Sequence, residues 1–228
     1  MNLPDNISRK EFERLAKSAQ NSLQKPGASQ NELPKTKSTV KPILIVFSHT
    51  QTIDNARRIF SGRRETQLTE LGKKQAKKLG EELKKMDIDL FITSPQKRCM
   101  QTVKFVAKHF PGVPVKKEPM LVERDYGELT GTSKEKLMKE DFVKAVLYRR
   151  SYNFPPPKGE SMKEVKEKRV FPFLNSLTKK IKKEKINVAV CATGNTVRFF
   201  RMYFEKLGIN DTITVEIPYG DYASYKVS

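Results

Sequence analysis

Few residues in this 228-residue chain can carry chemistry, and most of them stand where apolar runs end. Only two histidines occur, so a mechanism that needs a pair has little to draw on. His49 follows the apolar run Ile43-Leu44-Ile45-Val46-Phe47 and Ser48, and a polar loop carrying Asn55 and Ser61-Gly62 comes after it. An imidazole in that position can serve as a nucleophile or a proton carrier. Arg98 opens the helix expected after a second apolar run, where a helix N-terminus and a guanidinium together hold an anion. Glu123-Arg124-Asp125-Tyr126-Gly127 is a charged loop, Arg149-Arg150 a paired basic site, and Thr193-Gly194-Asn195 follows a third apolar run. His109 reads as a helix-end residue, and the lysine-rich stretch 179–185 as a solvated helix face. Cys99 and Cys191 lack metal-ligand spacing and read as reduced thiols, so no metal is expected.

The elements that must position these residues alternate. Continuous apolar runs at 43–47 and 188–192 read as strands buried on both faces, and Asp89-Leu90-Phe91-Ile92-Thr93 reads as a further strand. Helical spacing of apolar residues predicts helices over 69–86, 96–110, 134–148, 162–183 and 196–207, with Gly208 at the end of the last. Short strands are expected at 114–117, 212–218 and 223–227. Strands alternating with helices imply a three-layer α/β/α sandwich around a central, mostly parallel sheet. Such sheets bind ligands beyond the carboxyl ends of their strands, so the segments after 47, 93 and 192 are expected to converge on one cleft.

Residues 1–42 differ in composition. They hold eight basic and four acidic residues, several prolines and few large apolar side chains. They read as a basic, largely extended N-terminal arm with short helical stretches, ordered by a partner and not needed by the domain at 43–228. The arm lacks the apolar segment of a secretory signal. Nowhere does the chain approach about 18 consecutive apolar residues, so no transmembrane helix is expected, and an intracellular protein is read with cytoplasm and mitochondrion left open.

Lysine and arginine exceed the acidic residues enough for a formal net charge of +19. A Lys-rich surface, an anionic small molecule, an anionic membrane surface or nucleic acid would each suit that charge. No aromatic-rich basic motif supports nucleic acid. Protein partners reached through the arm and the basic surface, and phosphorylated small acids in the cleft, are the partners expected.

Taken in order, these segments resemble the phosphoglycerate mutase branch of the histidine phosphatase superfamily. The resemblance rests on His49 with Asn55 and Ser61-Gly62, on Leu68-Thr69-Glu70-Leu71-Gly72, and on residues 94–102 with Arg98. It continues through residues 123–131 with Lys134, through Arg149-Arg150-Ser151-Tyr152 followed by prolines and Gly159-Glu160-Ser161, and through Thr193-Gly194-Asn195-Thr196 with Arg198. It implies that His49 is the nucleophile that becomes a phosphohistidine, and that Glu123 is the general acid and base. It implies further that Arg98 and Asn195 hold the transferred phosphoryl group, and that Tyr126, Lys134, Arg149 and Arg150 grip the carboxylate and second phosphate of a phosphoglycerate. Asn55, Ser61, Gly62 and Gly194 complete the expected substrate-binding set. No cofactor would be bound permanently; 2,3-bisphosphoglycerate would be the phosphoryl donor of an active enzyme.

Three positions depart from the family pattern. Ser48 stands where the family has an arginine, Thr193 where it has a second histidine, and Thr50 where it has a glycine. Removing one cation from a phosphoryl-transfer site can cost on the order of 10³-fold in rate. These departures predict a catalytically impaired or inactive domain acting as a binding or structural component of a larger assembly. The alternative is an active 2,3-bisphosphoglycerate-dependent mutase or a small-molecule phosphatase working through a phosphohistidine, with an arginine from 57–64 replacing the lost cation.

Overall fold

The computed structural model describes residues 3–4, 7–27 and 32–228. Its elements in chain order are α1 (Arg9–Gln24), β1 (Ile43–Ser48), α2 (Ile53–Ala56), α3 (Glu70–Leu83), β2 (Leu90–Thr93), α4 (Lys97–Val106), β3 (Val115–Lys117), α5 (Lys134–Glu140), α6 (Phe142–Arg150), α7 (Met162–Val165), α8 (Phe171–Glu184), β4 (Val188–Ala192), α9 (Gly194–Glu205), α10 (Ile209–Thr214) and β5 (Tyr222–Lys226). Every residue of β1, β2 and β4 is buried, as continuous apolar runs require.

The five strands form one sheet in the order β3-β2-β4-β1-β5, parallel throughout except for the antiparallel edge strand β5. Successive side chains of a strand point to opposite faces. Ile43, Ile45 and Phe47 accordingly pack with Leu79 and Leu83 of α3 and Val103 and Val106 of α4. Leu44 and Val46 pack in the other layer with Val146 of α6, Leu174 of α8 and Phe200 of α9. The fold is therefore a three-layer α/β/α arrangement about a mostly parallel sheet.

Local expectations differ from the structure in four places. Of the arm 1–42, residues 1–2, 5–6 and 28–31 lie outside the described residues. The arm is not largely extended: α1 is a capped helix of 16 residues, with the Ser8 side chain accepting from the Glu11 amide. Phe12, Leu15 and Ala19 are buried in the same core cluster as Val146 and Leu147, and Phe12 meets Phe142 edge-on at 6.0 Å. Phe12, Leu15, Ala16 and Ala19 fall on one helical face, and α1 packs against α6.

The helix expected over 134–148 breaks at Asp141, whose carboxylate caps α6 by accepting from the Lys144 amide at 3.0 Å. The helix expected over 162–183 contains a π-type turn, Lys166–Val170, just before Pro172, which has no amide proton for the regular ladder. Residues 209–214 form a helix where a strand was expected from 212. The sheet edge beside β1 is already taken by β5, and the Thr212 and Thr214 hydroxyls donate back to the carbonyls of Gly208 and Asn210 at 2.8 Å. Among the described residues, no helix is long and apolar enough to cross a membrane.

The register that matters most pairs Ser48 with Ala192, and the His49 amide donates to the Ala192 carbonyl at 3.1 Å. The loops leaving β1 and β4 thus start side by side at one edge of the sheet.

Candidate active site

A cavity of about 150 Å³ opens at that edge. Of the residues expected there, His49, Asn55, Glu123, Tyr126, Lys134, Arg149, Arg150, Gly194 and Asn195 line it. Ser61, Gly62 and Arg98 do not. Arg98 lies behind the lining, almost fully buried, with its two Nη groups donating to the carbonyls of Arg64 at 3.1 Å and Gly62 at 2.9 Å. Its Nε is buried without a partner. Gly62 and Ser61 thus act through their backbone, Ser61 accepting from the Arg64 amide.

His49 is held by a bond between Nδ1 and the Thr50 carbonyl at 2.8 Å. A carbonyl only accepts, so Nδ1 carries the proton and Nε2 keeps its lone pair. Burial, then the positive charges of Arg98 and Lys134, push the imidazole pKa down to about 3, against the opposing effect of the Thr50 bond. The ring is therefore neutral at physiological pH. Thr50 is fully buried and its amide is taken by the Thr102 hydroxyl at 3.2 Å. Thr193 is buried as well, its hydroxyl spent on Thr196 at 3.1 Å, and it does not reach the cavity.

Glu123 is fixed from both sides. Its amide donates to the Gln96 side chain at 2.8 Å, and Gln96 donates in turn to the Gly62 carbonyl at 3.2 Å. Its carboxylate accepts from Asn195 Nδ2 at 3.0 Å and from the Arg124 amide at 2.7 Å. The same Asn195 nitrogen donates to the Tyr126 hydroxyl at 3.2 Å. Fully buried Arg124 ties this loop to the carbonyls of Glu160, Tyr148 and Phe154. Asn55 closes a capping box at α2, with its Oδ1 accepting from Thr52.

The electrostatics are one-sided. Five basic side chains, Arg58, Lys134, Arg149, Arg150 and Arg198, face the cavity against two acidic ones, Glu123 and Glu216. Burial, then the neighbouring Arg149 and Arg150, pushes Lys134 down to about 7. Burial and Arg150 push Arg149 down to about 9, and the same two causes bring Arg198 to about 10. Arg150 pairs with Glu216, while Arg150 Nε and Arg149 Nη1 are buried without partners. Such a cluster is relieved by a ligand carrying more than one negative charge.

Several lining residues fall outside the expected set. Arg198 donates from Nη1 to Asn195 Oδ1 at 2.6 Å, and its place one helical turn after Asn195 was a readable signal. Glu216 and Tyr219 lie in and just after the stretch misread as a strand, and Tyr219 stacks near His49 with ring centroids 6.4 Å apart. Ser22, Leu23, Pro26 and Gly27, from the carboxyl end of α1 and the turn after it, also line the cavity. Nothing local in the sequence marks them.

The chain is 33% identical over 191 residues to a 2,3-bisphosphoglycerate-dependent phosphoglycerate mutase of Nitrobacter winogradskyi, covering 82% of this chain and 92% of that one. It is 33% identical over 192 residues to the protein of the same name from Rhizobium etli, covering 81% and 90%. Among solved structures, the alpha-ribazole phosphatase of Shigella flexneri superposes with a TM-score of 0.70 at 21% identity, covering 80% and 89%. A mycobacterial glucosyl-3-phosphoglycerate phosphatase gives 0.71 at 21%, covering 80% and 91%. The identity to the two mutases over most of the chain overturns the expectation of an impaired or inactive binding component and favours an active enzyme, while the two solved structures show the fold. The physical ground for that expectation was two lost donors at positions 48 and 193; Arg58, from the loop read as a possible replacement, and Arg198 line the cavity. Residues 44–227 match the histidine phosphatase superfamily, branch 1, and the chain belongs to that superfamily.

Proposed function

We propose that this protein is an active phosphoryl-transfer enzyme that works through a phosphohistidine at His49 and acts on a small phosphorylated carboxylic acid of the phosphoglycerate type. The observation that carries this reading is a neutral imidazole, with Nε2 free, in a cavity where five basic side chains face two acidic ones. The identity to mutases over most of the chain supports the substrate class.

In this reading the Nε2 lone pair attacks phosphorus and the bond from phosphorus to the substrate oxygen breaks. Glu123 relays a proton to the departing oxygen, leaving a hydroxyl on the substrate and the phosphoryl group on His49. The reverse step gives the phosphoryl group to a second hydroxyl, whose proton returns to Glu123. Asn195 lines the path of the group in transit, Arg98 adds its charge from behind the cavity wall, and Lys134, Arg149 and Arg150 take the carboxylate and any second phosphate. Arg58 and Arg198 supply the positive charge that positions 48 and 193 lack. The residues present fit 2,3-bisphosphoglycerate, which would load His49.

The test is incubation of the purified protein with labelled 2,3-bisphosphoglycerate, followed by a search for acid-labile label on His49 and an assay for interconversion of 3- and 2-phosphoglycerate. Label and turnover are expected in the wild type and neither in His49→Ala. No label in the wild type, or turnover that survives His49→Ala, would refute the reading.

A further inference from the structure

The cavity has a wall that the superfamily match does not include. The match begins at residue 44, yet the carboxyl end of α1 stands directly on the cationic cluster. Arg149 Nη2 donates to the Ser22 hydroxyl at 2.6 Å. Arg58 Nε donates to the Leu23 carbonyl at 2.7 Å. Arg150 Nη2 reaches the Ser18 carbonyl at 3.4 Å. Of these acceptors the Leu23 carbonyl lies in the last turn of α1, where carbonyls lack intrahelical partners and carry a partial negative charge. In this fold that charge is placed where an anionic ligand group would sit.

The wall is anchored away from the cavity and closed next to it. Phe12, Leu15 and Ala19 hold the body of α1 in the core, so its end is fixed rather than free to swing away. Beyond the helix, Gly27 has φ +69° and its carbonyl accepts from the Tyr219 amide at 3.2 Å. A Cβ at Gly27 would stand 2.2 Å from the Tyr219 ring, so only glycine lets the chain pass there. The occupation is partial. Arg149 and Arg150 are 8% and 5% exposed, and each keeps one buried donor, Nη1 and Nε, with no partner.

We propose that the carboxyl end of α1 is a specificity element: Ser22 and Leu23 occupy guanidinium donors of Arg149 and Arg58 in competition with the second anionic group of the substrate, and so set how much that group adds to binding. The proposal rests on the reading of the cavity as a site for phosphorylated acids. It predicts that the ratio of affinities for a phosphorylated acid and for phosphate alone follows the acceptor strength at position 22. Arg149, freed from Ser22, gains a donor for the ligand carboxylate; Arg149, held by a carboxylate at position 22, loses one.

The experiment titrates 3-phosphoglycerate and inorganic phosphate by calorimetry into the full-length wild type, Ser22→Glu and Ser22→Ala. For Ser22→Glu, the affinity for 3-phosphoglycerate should fall at least tenfold more than that for phosphate. Ser22→Ala keeps helix-forming character, and should tighten 3-phosphoglycerate at least threefold relative to phosphate. Equal changes for both ligands, or an unchanged ratio in Ser22→Ala, would overturn the proposal even if Ser22→Glu failed to fold. Binding is read without turnover, so an absence of phosphohistidine would remove the functional reading while the shift in ratio still decides the role of α1.

Discussion

Lys134 gives the site a pH dependence that can be worked from its surroundings. Burial and the charges of Arg149 and Arg150 hold its pKa down to about 7, against weaker opposing effects from Glu123 and Asp54. Above that pH the ligand-free protein carries a neutral amine there. An anionic ligand needs the ammonium, so binding takes up a proton and affinity falls as pH rises. With a pKa of about 7, the protonated fraction drops from roughly a quarter at pH 7.5 to roughly 3% at pH 8.5, which weakens binding about eightfold, or about 1.2 kcal/mol. The ligand does not produce this slope, because a phosphate monoester with a second pKa of about 6 is already dianionic. Nor does His49, which is neutral throughout with its pKa at about 3. Arg149, at about 9, adds a factor of only about 1.3 within the window. The assay is calorimetric titration of 3-phosphoglycerate at both pH values, in two buffers of different ionisation enthalpy, so that protons taken up are counted. Lys134→Met should bind more weakly at pH 7.5 and lose most of the slope. Wild-type affinities within twofold of each other, or an equal slope in Lys134→Met, would refute the reasoning.

Two further outcomes bear on the scaffold. Arg150→Met leaves Glu216 with only Arg198 Nη2, at 3.6 Å, and should destabilise the fold by about 2–3 kcal/mol, less than for a fully buried pair because Glu216 is half-buried and keeps that longer contact. Adding Glu216→Gln should recover much of that loss, and strictly additive losses in chemical denaturation would show that the pair is not coupled. Phe12→Ala removes a ring that is 3% exposed and packed on Phe142, so about 3–5 kcal/mol and on the order of 10 °C in melting temperature should be lost. An unchanged melting temperature would mean that α1 is not part of the core.

The sequence by itself determined the parts of this protein that depend on local pattern. The short, largely apolar stretches at 43–47, 89–93 and 188–192 suit strands buried on both faces, and the amphipathic stretches between them suit a parallel sheet with helices on both sides. That topology brings the ends of β1 and β4 together, which is why His49 and Asn195 could be assigned to one cleft from their places after apolar runs. Arg98 was legible as an anion-holding residue at a helix start, but the structure sets it behind the cavity wall, bonded to the carbonyls of Gly62 and Arg64. The helix at 209–214 was not legible, because the alternation of Ile213, Val215 and Ile217 suits a strand equally well and only the β5 edge decides against it. Nor was the role of α1. Its contact with Arg149 spans 127 positions and that with Arg58 spans 35, and no periodicity records a pairing at such separations. The charge balance of the site was likewise settled in three dimensions. Ser48 and Thr193 are visible in the sequence as losses, whereas the convergence of Arg58, Lys134 and Arg198 exists only once the sheet, α5 and α9 are packed. Desolvation, the largest cause of the depressed His49 and Lys134 pKa values, comes from that packing and from no single residue.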